Sequence, residues 1–184
     1  MKVAAVQLTS TGNVTENQEL ALVKIREAAG NGARLIVLPE ATAQNFRSGR
    51  LDEQAQTLEG PFATAIQTLA EELEVTVVAG MFCPADTVER DGKTINRVTN
   101  TALIAGPGVL GGYDKIHTYD AFDYRESDTV LAGESLVAFD VDDLIVGVAT
   151  CYDIRFPEQF KELASQGAQL IVVPTLSLIH ISDG

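Results

Sequence analysis

Hydrophobic residues fall along this chain in two rhythms. Short, nearly continuous apolar runs, such as Leu35-Ile36-Val37-Leu38, Leu144-Ile145-Val146-Gly147-Val148-Ala149 and Leu170-Ile171-Val172-Val173, are bounded by turn residues, the pattern of buried strands. Between them lie longer stretches whose apolar positions recur every three or four residues, as on one face of a helix. Strands are therefore expected near 2–8, 34–38, 75–80, 99–105, 109–113, 136–140, 144–149 and 169–173, and helices at 16–30, 61–74 and 157–166. Alternation of buried strands with amphipathic helices points to the α/β class. The turn Gly106-Pro107-Gly108 between two strand-like runs adds antiparallel neighbours to the sheet. Residues 84–97, with Asp91-Gly92 at the tip, read as a polar turn between strands. No internal repeat, low-complexity tract or linker interrupts the pattern.

Composition narrows the partners. A chain of 184 residues with 46% hydrophobic content supports one core and one domain. The net charge of −13 argues against nucleic acid or an anionic membrane as partner, because no basic patch is available to neutralise phosphates. No apolar run reaches the roughly 20 residues of a membrane span. Lys2 and Val3 lead at once into a strand, so a cytoplasmic chain without a signal peptide is expected. The two histidines and two cysteines show no ligand spacing, and no glycine-rich phosphate loop occurs, so neither a metal nor an organic cofactor is expected. Cys83 reads as a structural thiol; a redox pair with Cys151 is not expected in a reducing compartment.

Three strand ends carry groups capable of chemistry. Cys151 closes the apolar run 144–150 and precedes Pro157-Glu158, which opens a helix with proline in its first turn. A thiol at such a corner is held rigidly and lies near main-chain N–H groups, as a nucleophilic cysteine requires. A small buried core thiol is the other reading of the same residue. Glu40 stands where the strand ending in Leu38-Pro39 leaves the sheet, and Lys115 lies in Tyr113-Asp114-Lys115-Ile116-His117 after the glycine turn. Ligands of α/β proteins bind beyond the carboxyl ends of strands, so residues far apart in sequence can converge there. Glutamate as general base, cysteine as nucleophile and lysine as stabiliser of an oxyanion make a workable hydrolase. On residue type alone, a solvated loop acid and a surface cation remain open for Glu40 and Lys115.

Taken in order, Val3-Ala4-Ala5-Val6-Gln7-Leu8, Leu38-Pro39-Glu40, Asp114-Lys115-Ile116-His117 and Cys151-Tyr152-Asp153-Ile154-Arg155-Phe156-Pro157-Glu158 resemble the motifs of the nitrilase, or carbon–nitrogen hydrolase, superfamily. The resemblance covers Met1 to about Thr175. It implies a four-layer αββα sandwich, two sheets face to face with helices outside. By the same resemblance Glu40 is the general base, Lys115 stabilises the tetrahedral intermediate, Cys151 is the nucleophile and the N–H of Tyr152 is a second oxyanion donor. Tyr124-Arg125-Glu126-Ser127 matches the stretch carrying a second active-site glutamate, which makes Glu126 the fourth member; Glu134 beside Gly133 is its nearest rival and reads better as a turn acid.

The sequence after the cysteine resembles the Nit branch, whose members hydrolyse ω-amides of small carboxylic acids, including deaminated glutathione and α-keto acid amides. True nitrilases carry tryptophan after the cysteine, and this chain has none. An amidase is therefore favoured over a nitrile hydrolase, with a small-molecule amide as substrate and a homo-oligomer expected for the parent protein; a nitrilase or N-carbamoyl amide hydrolase is a further alternative. Arg47, Arg50 and Arg155 are candidates for gripping a substrate carboxylate. After Thr175 the chain departs from the family pattern. The run from Leu176 to Ser182 resembles translated adapter sequence, and residues 176–184 are expected to be a non-native tail on an incomplete domain spanning 1–175. An inert fragment or binding scaffold is the alternative function.

Overall fold

A computed structural model describes residues 1–121 and 124–176 of the chain. The expected tail, apart from Leu176, and the apolar run 178–181 within it lie outside the described residues.

The elements follow in the order β1 (Val3–Ala5), α1 (Val14–Gly30), β2 (Leu35–Val37), α2 (Pro61–Glu72), β3 (Thr76–Arg90), β4 (Lys93–Gly106), β5 (Val109–Asp114), β6 (Asp120–Ala121), β7 (Tyr124–Arg125), β8 (Val130–Leu131), β9 (Val137–Val141), β10 (Leu144–Val148), α3 (Pro157–Ser165) and β11 (Leu170–Val172). Two 3-10 turns, Glu126–Asp128 and Cys151–Arg155, stand just before β8 and α3. Helix α1 begins two residues ahead of expectation because the Asn13 side chain accepts from the N–H groups of Thr15 and Glu16, which caps the first turn.

The larger sheet runs β1-β2-β3-β4-β5, with β8 beside β4. Strands β1, β2 and β3 are parallel, and β3, β4 and β5 are antiparallel. The smaller sheet runs β11-β10-β9, parallel across β10 and β11 and antiparallel across β10 and β9. Side chains alternate across each strand, and that alternation sorts the core into layers. Leu35, Val78, Ala102, Ile104 and Tyr113 of the larger sheet pack against Phe139, Val141, Val146, Val148 and Val172 of the smaller one. Their neighbours Ile36, Val77, Leu103 and Ala105 face the other way, onto Ala21 and Ile25 of α1 and Phe62 and Ile66 of α2. On the outer face of the smaller sheet, Gly147 lies against Leu163 of α3, with both leucine methyls 3.3 Å from where a Cβ would sit. The order helix, sheet, sheet, helix is the αββα sandwich.

One expectation fails in extent. Residues 84–97 are not a turn: β3 and β4 stay paired to Arg90 and Lys93, and only Asp91 and Gly92 turn, with φ of 52° and 71°, as a two-residue hairpin loop demands. Most of this arm is exposed to solvent, so its strands carry the polar composition of a loop.

Candidate active site

Each proposed group is placed by a different strand exit. After β2, Leu38 N–H still bonds Val78 carbonyl at 2.8 Å, and Gly80 N–H bonds Pro39 carbonyl at 3.0 Å. A Cβ on Gly80 would stand 1.6 Å from the Glu40 carbonyl oxygen, so only glycine lets the Glu40 backbone lie against β3. Lys115 leaves β5 with its N–H on the Asn100 carbonyl and its carbonyl taking the Gly133 N–H, both at 2.9 Å. Glu126 opens the first 3-10 turn, tied to Tyr119 by Glu126 N–H to Tyr119 carbonyl at 3.1 Å. Cys151 leaves β10 with its N–H on the Pro174 carbonyl at 2.9 Å and with φ of 46°. A non-glycine residue in the left-handed region costs of order 1 kcal/mol or more and is a pointer to function when observed.

These exits bring Glu40, Lys115 and Glu126 into one buried cage; each is 2% exposed. The Lys115 ammonium donates to Glu40 Oε1 at 3.0 Å and to Glu126 Oε2 at 2.8 Å. The Asn100 amide donates to Oε1 of both glutamates, at 2.9 and 3.0 Å. Two main-chain donors complete the cage: Tyr119 N–H on Glu126 Oε2 at 2.6 Å and Leu176 N–H on Glu40 Oε2 at 3.0 Å. The last bond joins the exit of the smaller sheet to the larger one, and its donor is main chain, whatever side chain stands at 176.

Charge follows from this geometry. Burial works against the Lys115 ammonium, but the carboxylates of Glu40 and Glu126 overcome it and hold the lysine above its ordinary range. Burial and the neighbouring Glu40 carboxylate push the Cys151 thiol up to about 12, against a smaller opposing pull from Lys115. At neutral pH Cys151 is therefore a thiol, and would need a base in order to attack a substrate. Tyr152, second in its 3-10 turn, has an N–H that by position lacks an intrahelical acceptor.

A second polar cluster, unforeseen from the sequence, locks the cysteine corner to the lysine strand. Asp153, fully buried, accepts from Tyr113 Oη at 2.6 Å and Thr150 N–H at 2.8 Å on one oxygen. Its other oxygen meets His117 N–H at 2.9 Å and His117 Nδ1 at 2.8 Å. Gln159 Nε2 donates to Tyr113 Oη at 2.8 Å, and the His117 ring stacks on Phe156 at 3.6 Å. Asn100 and Asp153 are the site residues that sequence reading missed. Both sit inside quoted or strand-like segments, and neither carries a signal by residue type alone.

Other candidates lie elsewhere. Glu134 is exposed, while its neighbour Gly133 contributes the N–H that holds Lys115. Arg50 is engaged by Asp52 at 2.6 Å and Glu53 at 3.6 Å; Arg47 and Arg155 are exposed. Both cysteines are free thiols, and burial raises Cys83 above the ordinary thiol value. Among the described residues no group of three or more His, Cys, Asp or Glu is arranged to hold a metal ion, and no helix is long and apolar enough to cross a membrane.

Residues 2–183 match the family described as carbon-nitrogen hydrolase. A hydrolase of Mycobacterium tuberculosis strain H37Rv is 44% identical over 178 residues, covering 94% of this chain and 60% of that protein. The deaminated glutathione amidase of Synechocystis sp. PCC 6803 is 37% identical over 179 residues, covering 93% and 64%. An ω-amidase of Danio rerio is 32% identical over 180 residues, covering 94% and 62%. Among solved structures, a nitrilase-superfamily amidase from Nesterenkonia superposes with a TM-score of 0.78 at 22% identity, over 95% of this chain and 64% of that one. The chain spans about 60% of the length of the curated relatives it matches.

Proposed function

We propose that this chain, which belongs to the carbon–nitrogen hydrolase family, is the nucleophile-bearing part of an amidase that converts an ω-amide of a small carboxylic acid to acid and ammonia through a cysteine thioester. The observation that carries the reading is the buried Glu40–Lys115–Glu126 cage with Cys151 beside it at a left-handed backbone angle. The amide substrate class is supported by the relatives named as deaminated glutathione amidase and ω-amidase.

The steps follow from the contacts. Glu40 Oε2, which takes one N–H donor, accepts the thiol proton as Cys151 Sγ bonds to the amide carbon. Negative charge gathers on the former carbonyl oxygen, and Lys115 with the N–H of Tyr152 compensates it; such donors are worth about a hundredfold or more in turnover. The C–N bond breaks as Glu40 returns its proton to nitrogen, and ammonia leaves. Glu40 then takes a proton from water, the hydroxyl adds to the thioester, and the carboxylic acid departs as Cys151 regains its proton. Glu126, holding Lys115, Asn100 and Tyr119 N–H, keeps the ammonium in place.

The test is ammonia release from the monoamide of a small dicarboxylic acid. Release is expected from the folded chain and not from Cys151→Ala. A folded native chain that releases none, or an alanine variant that releases as much, rejects the proposal.

A further inference from the structure

Asn100 lies in the middle of β4 and is 1% exposed. Its amide nitrogen donates one hydrogen to Glu40 and the other to Glu126, at 2.9 and 3.0 Å, while its main-chain carbonyl holds the Lys115 N–H. Carboxylates only accept, so the nitrogen must face them. The oxygen Oδ1 then points away, buried and without a donor among the described residues. An unmade buried hydrogen bond is unfavourable, and an apolar residue of similar size would avoid it. Packing alone therefore does not account for asparagine here. Its two amide donors do.

The cage holds two carboxylates and a single ammonium, a formal excess of one negative charge out of water. Repulsion between the acids favours a proton on one of them, and a glutamate already protonated cannot serve as base. A further cation would relieve the repulsion but would also weaken the base. A neutral group with two donors relieves it with a smaller loss of basicity. We infer that Asn100 is a positioning residue that keeps Glu40 and Glu126 both ionised around Lys115 while adding no charge of its own. This rests on the thiol-hydrolase reading above. The titratable groups facing Glu40 are Lys115 from the β5 exit, Glu126 from the first 3-10 turn and Cys151 from the second.

Alkylation of Cys151 by iodoacetamide across pH tests this, resolved by peptide mass spectrometry with Cys83 as reference in the same sample. Labelling requires Glu40 as proton acceptor but no turnover. The variants are Asn100→Asp, which matches the native shape, and Asn100→Ser, which keeps one donor; the reading is taken on whichever retains the native thermal transition. Hydrogen bonds to a carboxylate favour its ionised form, so their loss favours a proton within the cage. The acid limb of Cys151 labelling should move upward by about one to two pH units, further in Asn100→Asp than in Asn100→Ser, with the Cys83 profile unchanged. An acid limb that stays in place overturns the inference, even if labelling slows evenly at every pH as loosened packing would cause. Native Cys151 labelling with the same pH profile as Cys83 would instead remove the hydrolase reading, and this inference with it.

Discussion

Glu40 and Asp153 are both buried acids just past strand ends, Glu40 after β2 and Asp153 after β10, and they differ in what they have left to accept. Asp153 takes four hydrogen bonds, from Tyr113, Thr150 and twice from His117, which fills the roughly four acceptor positions of a carboxylate. Among the described residues three N–H donors reach Glu40, two of them on Oε1, so Oε2, with the Leu176 N–H, has acceptor capacity left for the neighbouring Cys151 thiol. The same contrast holds for the surroundings. Glu40 shares its donors with a second acid and a lysine, whereas Asp153 is surrounded by neutral donors and a histidine. A saturated acid is a fastener; an unsaturated one beside a thiol can move a proton. Burial alone would not have told them apart.

The sharpest way to break this comparison is Glu40→Gln, which keeps the shape but has one acceptor oxygen in place of two, so it can hold Lys115 on one side or the Leu176 N–H on the other, and cannot take a proton. Ammonia release should fall by about 10²–10⁴-fold, measured as kcat on an ω-amide, with the folded signal intact. Next comes Lys115→Met, which leaves two buried carboxylates without their cation. Removing one partner from a buried ionic cluster costs about 3–5 kcal/mol, read as a lower urea midpoint. Asp153→Ala should follow at about 3 kcal/mol, since Tyr113 O–H, Thr150 N–H and His117 N–H lose a buried acceptor, each worth about 1 kcal/mol or more. Its signature is different: stability falls while the acid limb of Cys151 alkylation stays in place, because the cage is untouched. If that limb moved as far as in a cage variant, the division into fastener and proton carrier would fail.

Smaller effects appear at alkaline pH. Cys151 keeps its proton to about 12 in the fold, against 9.0 for an ordinary thiol, and burial with the Asp153 carboxylate raises Tyr113 above its ordinary 10.0. The unfolded chain releases these protons first, so it binds fewer protons than the native state and stability declines as pH rises above about 9. Cys151→Ser should flatten the decline between about 9 and 12, and Tyr113→Phe should flatten only the portion above 10; urea titrations at several pH values measure both. Least of all, Arg50→Ala should change stability by no more than about 0.5 kcal/mol, because the exposed guanidinium pairs with Asp52 and Glu53 at the surface, where ion pairs are of little net worth.

Much of the fold was legible in the chain because burial writes itself as periodicity. The runs at 35–38, 144–149 and 170–173 could only be strands covered on both faces, and the hairpin tip Asp91-Gly92 announced its turn. The arm around that tip was misread because solvent bathes most of it, and a solvated strand has no apolar face to display. In the site, Glu40, Lys115 and Cys151 stood out because each follows a buried strand, where a reactive residue type is conspicuous. Asn100 and Asp153 did not, since an amide in the middle of β4 and an acid after tyrosine are unremarkable until their partners are seen.

The sequence by itself determined the α/β class, the strand exits and the residue types placed at them, because strand and helix periods are properties of neighbouring residues. Tertiary structure alone decided that Lys115 sits between two glutamates, that one asparagine serves both, and that Asp153 fastens the cysteine corner to the lysine strand. Those contacts join residues 11 to 75 positions apart. Hydrogen bonds of that reach depend on how two sheets stack and where their ends meet, and no local pattern along the chain encodes the meeting point.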